Sequence, residues 1–177
     1  MDLFNEDPLI SFDVIGLDEL NWCLTKWGHK MGPINRPTPT LAHGLRHRGE
    51  LVAVTSTDHL MAAAVQGLTR AEAVELSRVC AARPDLCRAA VRLWREFVFP
   101  DLSKHRGCSW AVSYQDAVIH GGNLYRFDGW VRLGFSHSGA DRRTGRPGRD
   151  KYIWAWHADP AVRAAVVDRS PARRAAA

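Results

Sequence analysis

Three side chains that could carry acid–base chemistry lie within one short stretch of the sequence: Asp116, His120 and Tyr125. A carboxylate or an imidazole can accept a proton, and a phenol, with an ordinary pKa of about 10, can donate one at neutral pH. Each residue also has a structural interpretation. Asp116 could form a turn, His120 could be a polar loop residue, and Tyr125 could pack a short helix onto a sheet. The residue types alone leave both interpretations open.

The same stretch could also contribute to a metal site. Asp116 and Tyr125, together with His29 from an early loop, would supply a carboxylate, a phenolate and an imidazole. Imidazole and carboxylate ligands suit iron or zinc. The remaining histidines show no convergent spacing and are predicted to be structural or solvated: His43, His47, His59, His105 and His157.

The cysteines indicate no metal or redox motif. None of Cys23, Cys80, Cys87 and Cys108 forms a Cys-x-x-Cys pair, so neither a zinc ribbon nor a thioredoxin-like site is predicted. In a reducing compartment these side chains are predicted to be buried small hydrophobic residues.

Arginine supplies most of the positive charge of the chain. Of the 24 cationic residues, 20 are arginine, and the formal net charge is +5. The planar guanidinium matches phosphate oxygens, which favours a nucleic acid or another phosphate-bearing partner. A GC-rich genome would produce the same excess of arginine and alanine, so composition alone does not choose between the two explanations.

The apolar pattern predicts an α+β domain. Apolar residues alternate in the strands and recur at helical spacing in the helices. The predicted strands cover residues 9–15, 40–46, 50–57, 72–81, 109–114, 129–136 and 151–157. The predicted helices cover residues 17–27, 86–99 and 121–128, with Asp85 as N-cap of the second and Pro100 at its end. This order predicts one mixed sheet flanked by helices.

Length and hydropathy limit the organisation of the chain. Its 177 residues are enough for one domain with a substantial core and too few for two ordinary ones. We predict one domain over residues 1–157 and a flexible Ala- and Arg-rich tail over 158–177. No apolar run is long enough to span a bilayer, and the N-terminus lacks the basic region of a signal peptide. A cytoplasmic location is therefore expected.

The sequence LYRFDGWVRLG at 124–134 resembles a motif of the GNAT acetyltransferase superfamily. Members of that superfamily end a helix and begin the next strand with a tyrosine, a glycine–aromatic pair and a second glycine at this spacing. The resemblance implies a GNAT-like single domain and an acyl-CoA donor such as acetyl-CoA. It also implies that Tyr125 is the general acid toward the coenzyme A thiolate.

A closer resemblance is to the phage Mom family of DNA-adenine modification proteins, which look GNAT-like. The matching pieces are ELSR at 75–78, SYQD at 113–116, HGGNLY at 120–125 and GW at 129–130, with a weaker match at His29 and Lys30. This resemblance implies DNA as partner and the exocyclic amine of adenine as acceptor. It also implies iron as the metal, with His29, Asp116 and Tyr125 as ligands.

In GNAT enzymes the pyrophosphate of the donor lies where a strand meets the central helix. The residues that the resemblance places there are Val79, Ala81, Arg83, Cys87 and Arg88. The chain departs from the superfamily at this point, because residues 81–88 contain no glycine. Arg83 and Arg88 would have to pair with the phosphates directly. Mom-like proteins carry a serine where Cys87 stands, so a role of that hydroxyl does not carry over.

The loop between the last two strands borders the acceptor cleft in GNAT-like folds. Here the loop spans residues 139–151, and its cationic residues are Arg142, Arg143, Arg146, Arg149 and Lys151. These residues are predicted to bind DNA phosphates, which would make binding salt-dependent. The alternative is a solvated hairpin loop.

Three hypotheses follow for the function. The first is a GNAT-like transferase that modifies the exocyclic amine of adenine in DNA, with Asp116 or His120 acting on the acceptor amine. The alternative is an acyl-CoA-dependent N-acetyltransferase acting on a small amine or a protein. The third is a catalytically idle DNA-binding module. DNA affinity that falls steeply with salt would separate the first and third from the second.

Overall fold

The computed structural model describes residues 8–137, 139 and 148–170. The strands are β1 (Ile10–Ile15), β2 (Leu41–His47), β3 (Glu50–His59), β4 (Ala64–Val65), β5 (Leu68–Thr69), β6 (Ala73–Ala81), β7 (Trp110–Asp116), β8 (Val131–Ser136) and β9 (Lys151–His157). The helices are α1 (Leu17–Lys26), α2 (Leu86–Leu93), a π-helical turn (Trp94–Val98), α3 (Phe99–Arg106), α4 (Asn123–Arg126) and α5 (Pro160–Ala164).

Seven strands form one mixed sheet in the order β1-β2-β3-β6-β7-β9-β8. β6 and β7 pair in parallel, from Ala73 opposite Trp110 to Glu75 opposite Val112. The pairs β1–β2, β2–β3, β7–β9 and β8–β9 are antiparallel. The α+β class, with a mixed sheet and flanking helices, is confirmed.

The chain divides into two compact units. The first unit is Met1–His59 with Leu76–Arg106, and the second is Leu60–Glu75 with Gly107–Ala177. The domain boundary at residue 157 stays a prediction. Within the described residues, no helix combines the length and the apolar character needed to cross a membrane.

In the first unit, helices cover both faces of the β2–β3 hairpin. Leu20, Cys23 and Leu24 of α1 pack with Val54 in one buried cluster. Ala53, the strand neighbour of Val54, packs instead with Leu45 and with Ala90 of α2. Neighbouring residues of a strand point to opposite faces, so α1 and α2 lie on opposite sides of this part of the sheet.

The amphipathic helix continues further than the sequence predicted. It passes from α2 through the π-helical turn into α3 and ends at Arg106. Pro100 is the second residue of α3 and not the end of the helix. A proline is tolerated there because the π-helical turn already interrupts the ordinary backbone ladder, so few hydrogen bonds are lost.

The prediction that the Asp85 side chain caps α2 is also wrong. Asp85 has a helical backbone and its side chain makes no capping hydrogen bond. Its carboxylate instead accepts two hydrogen bonds from Arg83, of 3.2 and 2.6 Å. The nearby guanidinium competes successfully with the backbone amides for the carboxylate oxygens.

The cysteines of the described chain are free thiols. Cys23, Cys80 and Cys108 are buried, as predicted, and Cys87 is half-buried. Burial raises the pKa of Cys23 and of Cys87 to about 11. A thiol that stays protonated at neutral pH is a poor nucleophile, so these residues act as packing groups.

His43 on β2 makes the stability of the fold depend on pH. Burial lowers the pKa of His43 below its ordinary value of 6.5, and the charge of Asp13 offsets only part of this effect. As pH falls below 6.5 the unfolded chain binds a proton that the folded chain does not. The free energy of unfolding should therefore fall on acidification, by up to about 1.4 kcal/mol per pH unit for one proton.

Urea unfolding of the wild type and of His43→Gln between about pH 7 and pH 5 measures this contribution. The variant lacks the titrating group, so its stability should fall less steeply. Parallel curves for the two proteins would contradict the proposed linkage.

In the second unit, β7, β8 and β9 carry a core on one face. The buried cluster there contains Val112, Leu133, Ile153 and Ala155. Between β3 and β6 the chain forms the short β4–β5 hairpin. Its Gln66 and Gly67 both have positive φ, as a tight two-residue turn requires.

The predicted tail contains one short helix, α5, and its flexibility stays a prediction. Asp159 caps the start of α5, because its carboxylate accepts a hydrogen bond of 2.8 Å from the amide of Ala161. Beyond it, Asp168 pairs with Arg132 of β8 at 2.5 Å. The helix leaves no apolar pattern in the sequence, because it is one turn long and has no buried residue. Residues 171–177 lie outside the described residues.

Candidate functional site

The candidate site is built on the face of β7 that carries polar side chains. Ser113 and Gln115 are both buried, and residues two apart on a strand point to the same face. Trp154 of β9 pairs directly with Ser113 in the antiparallel register. The strand therefore places a hydroxyl, an amide and an indole side by side.

Helix α4 closes over this face. Gly122 precedes the helix with a left-handed backbone at φ 79°, a conformation that costs glycine little. Tyr125 is 7% exposed. Its carbonyl accepts hydrogen bonds from the amides of Asp128 and Trp130, of 3.1 and 3.0 Å. These bonds hold the single turn of α4 against β8.

Tyr125 lies in a cage of two indoles and one hydroxyl. Its ring stacks on Trp154 with centroids 5.8 Å apart and meets the edge of Trp130 at 5.4 Å. Its hydroxyl oxygen is 2.8 Å from Ser113 Oγ, and either oxygen can be the donor. The packing fixes the phenol in one position, and the paired hydroxyls can pass a proton between them.

Gln115 connects the parts of this site. Its Oε1 accepts a hydrogen bond of 2.7 Å from Trp154 Nε1. Its Nε2 donates to the carbonyl of His120 in the turn that leads to α4. One buried amide thus holds β9 and the approach to α4 in fixed positions around Tyr125.

The structure gives Asp116 a turn-forming role. Asp116 Oδ1 accepts hydrogen bonds from the amides of Val118 and Ile119, of 2.9 and 3.0 Å. His120 is exposed at the end of the same turn, and its amide donates to the Asp116 carbonyl at 3.3 Å. The catalytic roles of Asp116 and His120 stay predictions.

Because Gly122 lies against the cage and Gly121 does not, substitution of these two glycines by alanine should have very different effects on stability. A Cβ at position 122 would lie 2.6 Å from Gln115 Oε1 and 2.8 Å from a ring carbon of Trp154, whereas one at position 121 would have its nearest contact at 4.0 Å. Gly122→Ala also places a side chain at positive φ. We expect it to lower the free energy of unfolding by about 2–3 kcal/mol.

Urea unfolding of Gly122→Ala beside Gly121→Ala checks this expectation. The control substitution should change stability by less than about 0.5 kcal/mol. Equal losses in the two variants would mean that the close approach of Gly122 to the cage is not a stabilising feature.

The residues predicted to hold the donor phosphates surround the start of α2. Arg83 and Arg88 are exposed, and Val79, Ala81 and Cys87 are half-buried. The amides of Leu86 and Cys87 bond back to the carbonyls of Arg83 and Pro84. Arg83 also lowers the pKa of Asp85, which therefore stays ionised.

This end of the helix does not fit a pyrophosphate held by backbone amides. Two of its amides are already bonded, and the carboxylate at its start repels an anion. The Arg83 and Asp85 side chains are both largely exposed, and an exposed ion pair contributes little stability. Arg83 can therefore exchange its partner, which leaves the two arginines as the phosphate ligands to test.

The described residues offer no support for the predicted iron. Across residues 8–137, 139 and 148–170, no group of three or more His, Cys, Asp or Glu side chains is arranged to hold a metal ion. His29 Nδ1 accepts a hydrogen bond of 3.3 Å from the amide of Met31, and Asp116 Oδ1 is used by the turn. The roles of His29, Asp116 and Tyr125 as metal ligands stay predictions.

The predicted DNA-binding loop is only partly described. Arg142, Arg143 and Arg146 lie outside the described residues. Arg149 is exposed, and Lys151 begins β9 with its ammonium 5.6 Å from the ring centre of Tyr114. DNA binding by these residues stays a prediction.

Sequence reasoning assigned no role to several polar residues that the fold buries. Ser113 and Gln115 could have been noticed, because they are polar residues at alternate positions of a strand whose other residues are largely apolar. Asp58 of the first unit is fully buried. It accepts hydrogen bonds from Ser77 and, at 2.5 Å, from Thr40. No local sequence pattern indicates that Asp58 is buried and hydrogen-bonded, because its partners lie far away in the sequence.

Several solved structures share this fold. One is NAA60 of Arabidopsis thaliana, which was solved with a bisubstrate analogue and also with acetyl-CoA. The complex with the bisubstrate analogue has a TM-score of 0.58 and 15% sequence identity, and the match covers 85% of this chain and 99% of that one. The ribosomal-protein-S18-alanine N-acetyltransferase of Escherichia coli has a TM-score of 0.57, at 16% identity over 84% and 93%.

A third similar structure belongs to an enzyme named for a small-molecule substrate. The aminoglycoside 6'-N-acetyltransferase of Enterococcus faecium has a TM-score of 0.56, at 10% identity over 83% of this chain and 96% of that one. No protein-family model and no curated protein sequence matches the chain. The similarity is therefore one of architecture, and the chain has the fold of the GNAT acetyltransferases.

Proposed function

We propose that this protein is an N-acyltransferase that moves an acyl group from an acyl-CoA to a primary amine of a protein or a small molecule. The observation that carries this proposal is the buried pair of hydroxyls formed by Tyr125 and Ser113. It lies in a GNAT fold, and Tyr125 occupies the position that the superfamily motif gives to the proton donor.

The chemistry of the pair suits a leaving group that needs a proton. An acyl-CoA supplies an activated acyl group whose sulfur departs as a thiolate. Tyr125 can donate its hydroxyl proton to such a group, and Ser113 can return a proton across the 2.8 Å contact. The two indoles exclude water from the phenol, which strengthens its hydrogen bonds.

The acceptor amine must lose a proton as it reacts. His120 is the better candidate for this role, because it is exposed at the turn while Asp116 Oδ1 already binds two amides. An imidazole can accept a proton and is a common general base. Acceptors of two kinds are supported by the fold neighbours, since one acts on the alanine of a ribosomal protein and another on aminoglycosides.

The direct test is release of free thiol from acetyl-CoA in the presence of candidate amines, with mass spectrometry of the products. The panel should contain peptides with free N-terminal amines, an aminoglycoside and a polyamine. Acetylated product from at least one amine would support the proposal. Thiol release only at the rate of spontaneous hydrolysis, for every acceptor, would count against it.

We further expect Arg83 and Arg88 to bind the donor phosphates. Arg83→Ala combined with Arg88→Ala should raise the KM for acetyl-CoA about tenfold or more, because charge-assisted hydrogen bonds to phosphate are lost. Acetyl-pantetheine carries the same thioester without the nucleotide, so its KM should not change. Equal changes for both donors would show that the arginines do not contact the phosphates.

The finer proposal is that the acceptor is the exocyclic amine of adenine in DNA. It is supported by the net charge of +5 and by the exposed position of Arg149 beside Lys151. Cations in this loop would neutralise DNA phosphates and make binding weaken with salt.

Mass spectrometry of nucleosides from cells that express the protein tests the DNA proposal. A modified adenine that disappears in the Tyr125→Phe strain would support it. Unmodified adenine throughout, beside an active protein in the amine assay, would reject DNA as the acceptor and leave the N-acyltransferase proposal standing.

A further inference from the structure

Strand β1 is an edge strand that lacks the usual protection against pairing with another chain. It stands first in the strand order, beside β2, so the N–H and C=O groups of its outer side have no strand partner among the described residues. Its sequence, ISFDVI, contains no lysine, proline or glycine. An edge of this kind is a template for pairing with a further strand.

The opposite edge of the sheet, β8, is protected. Its register against β9 shifts between Arg132 and Gly134, and such a bulge turns an edge strand away from pairing. Arg132 also places a charge on the edge, and the side chain of Gln66 lies against Gly134. The contrast between the two edges indicates that β1 is open to a partner strand.

One face of β1 is apolar and exposed. Ile10, Phe12 and Val14 alternate along the strand and therefore share a face, and Ile10 and Val14 are 62% and 67% exposed. The same face borders a pocket of about 430 Å³, whose lining includes Phe12, Val14 and the exposed ring of Phe97. Contiguous exposed apolar side chains mark protein interaction sites.

The sequence of β1 is complementary to itself in one antiparallel register. Directly opposed residues share a face, so the two-fold axis of a symmetric pair must pass through a residue. An axis through Phe12 pairs it with the partner's Phe12 and pairs Ile10 with the partner's Val14, so the apolar side chains cover one another. On the other face the same axis pairs Asp13 with the partner's Ser11, whose hydroxyl can donate to the carboxylate.

Other registers are less favourable. An axis through Asp13 would place two carboxylates directly opposite each other, which is destabilising. An axis through Ser11 would leave the exposed Val14 with no opposing residue in the partner strand. The sequence of β1 therefore favours pairing about Phe12.

The charges at the two ends of β1 agree with this register. The amide of Arg48, at the tip of the β2–β3 hairpin, donates a hydrogen bond of 3.0 Å to the carbonyl of Leu9, directly before β1. Asp18 lies in the first turn of α1, shortly after β1, and both Arg48 and Asp18 are exposed. An antiparallel partner brings the partner's Asp18 towards Arg48, and the two-fold symmetry repeats this attraction at the other end.

We propose that the protein forms a symmetric dimer through β1, in which two copies of the strand pair antiparallel about Phe12. The apolar faces supply the buried surface, and the attraction between Arg48 and the partner's Asp18 favours the antiparallel direction. The interface involves none of the residues of the Tyr125 cage, so the dimer is tested independently of the proposed acyl transfer.

Sedimentation velocity of the full chain between about 1 and 100 µM tests the proposal, because this range reveals micromolar dissociation constants. The mass should rise from one chain to two and no further, since a two-fold contact closes on itself. Val14→Lys, at an exposed position, should keep the fold and raise the dimer Kd about tenfold or more. Val118→Lys, at a position that is 89% exposed and outside β1, is the matched control and should leave the Kd unchanged.

A monomer at every concentration would overturn the proposal, whether β1 then binds a strand of another protein or nothing. A Val14→Lys dimer as stable as that of the wild type would also overturn it.

Disulfide cross-linking tests the register. Ile10→Cys combined with Val14→Cys places thiols of the two chains directly opposite each other, within reach of a disulfide. Mild oxidation should therefore produce a covalent dimer of the double variant. Either single variant should remain uncrosslinked, because its thiol lies about 13 Å along the strand from its own copy. Equal cross-linking of the single and double variants would overturn pairing about Phe12.

Charge exchange tests the direction of the strands. Arg48→Asp and Asp18→Arg each bring like charges together at both ends of the interface, so each should raise the dimer Kd about threefold or more. The combined variant restores opposite charges and should recover the Kd of the wild type. Weakening in both single variants without recovery in the combined variant would show that the two residues do not meet, and would overturn the antiparallel arrangement.

Discussion

Tyr125→Phe should lower kcat for acyl transfer by about a hundredfold or more, because a positioned general acid contributes about 10²–10⁴ to the rate. The substitution removes one oxygen and keeps the ring between Trp154 and Trp130. The lost hydrogen bond to Ser113 costs only about 1 kcal/mol, so the variant should remain folded. Steady-state kinetics with the best acceptor of the amine panel measures the effect.

The change should appear in kcat and leave KM for the amine near its original value, since the phenol acts on the leaving group. Tyr114→Phe is the matched control, because Tyr114 lies between Ser113 and Gln115 on β7, so its side chain points to the opposite face of the strand and packs against the core with Val112. It should keep its activity. Ser113→Ala should lower kcat less than Tyr125→Phe, because it keeps the phenol that protonates the leaving group. Full activity of Tyr125→Phe would show that Tyr125 is not the general acid.

Trp94→Ala should lower the free energy of unfolding by about 3–5 kcal/mol, the usual cost of truncating a buried tryptophan. Trp94 is fully buried in the π-helical turn and donates a hydrogen bond of 2.7 Å to Thr57 Oγ1. The substitution opens a cavity beside Phe99 and leaves the threonine hydroxyl without its partner. Urea unfolding followed by circular dichroism measures the loss.

Trp22 on α1 provides the control for this measurement. It is 56% exposed, and the Lys26 ammonium lies 4.3 Å from its ring centre. Trp22→Ala should cost less than about 1 kcal/mol. A similar loss in the two variants would mean that the π-helical turn does not anchor its helix to the sheet through Trp94.

Local patterns predicted most of the fold. Alternating apolar residues identified the seven strands of the main sheet, because each strand buries one face. The end of the central helix was misjudged at Pro100, because a π-helical turn leaves no recognisable mark in the sequence and removes the usual objection to proline. Asp85 was misjudged because Arg83 competes for its carboxylate, a choice that depends on side-chain geometry.

The candidate site was predicted in part. Tyr125 was identified by the motif that contains it. Ser113 and Gln115 are near it in sequence, but only the register of β7 with β9 shows that they lie beside Trp154 and Tyr125. His43 and His105 show no common spacing in the sequence. They line one pocket only because β1 pairs with β2 and α3 packs beside them. Contacts of this kind depend on the whole topology, which no local pattern contains.

The stacking of Tyr125 on Trp154 also has an optical consequence. At a centroid distance of 5.8 Å and an interplanar angle of 20°, energy absorbed by the phenol passes to the indole before the tyrosine can emit. Emission from Trp154 therefore responds to the state of the Tyr125 hydroxyl and to any ligand that shifts the ring. Comparing the emission of the wild type with that of Trp154→Phe would isolate this contribution from that of the other six tryptophans.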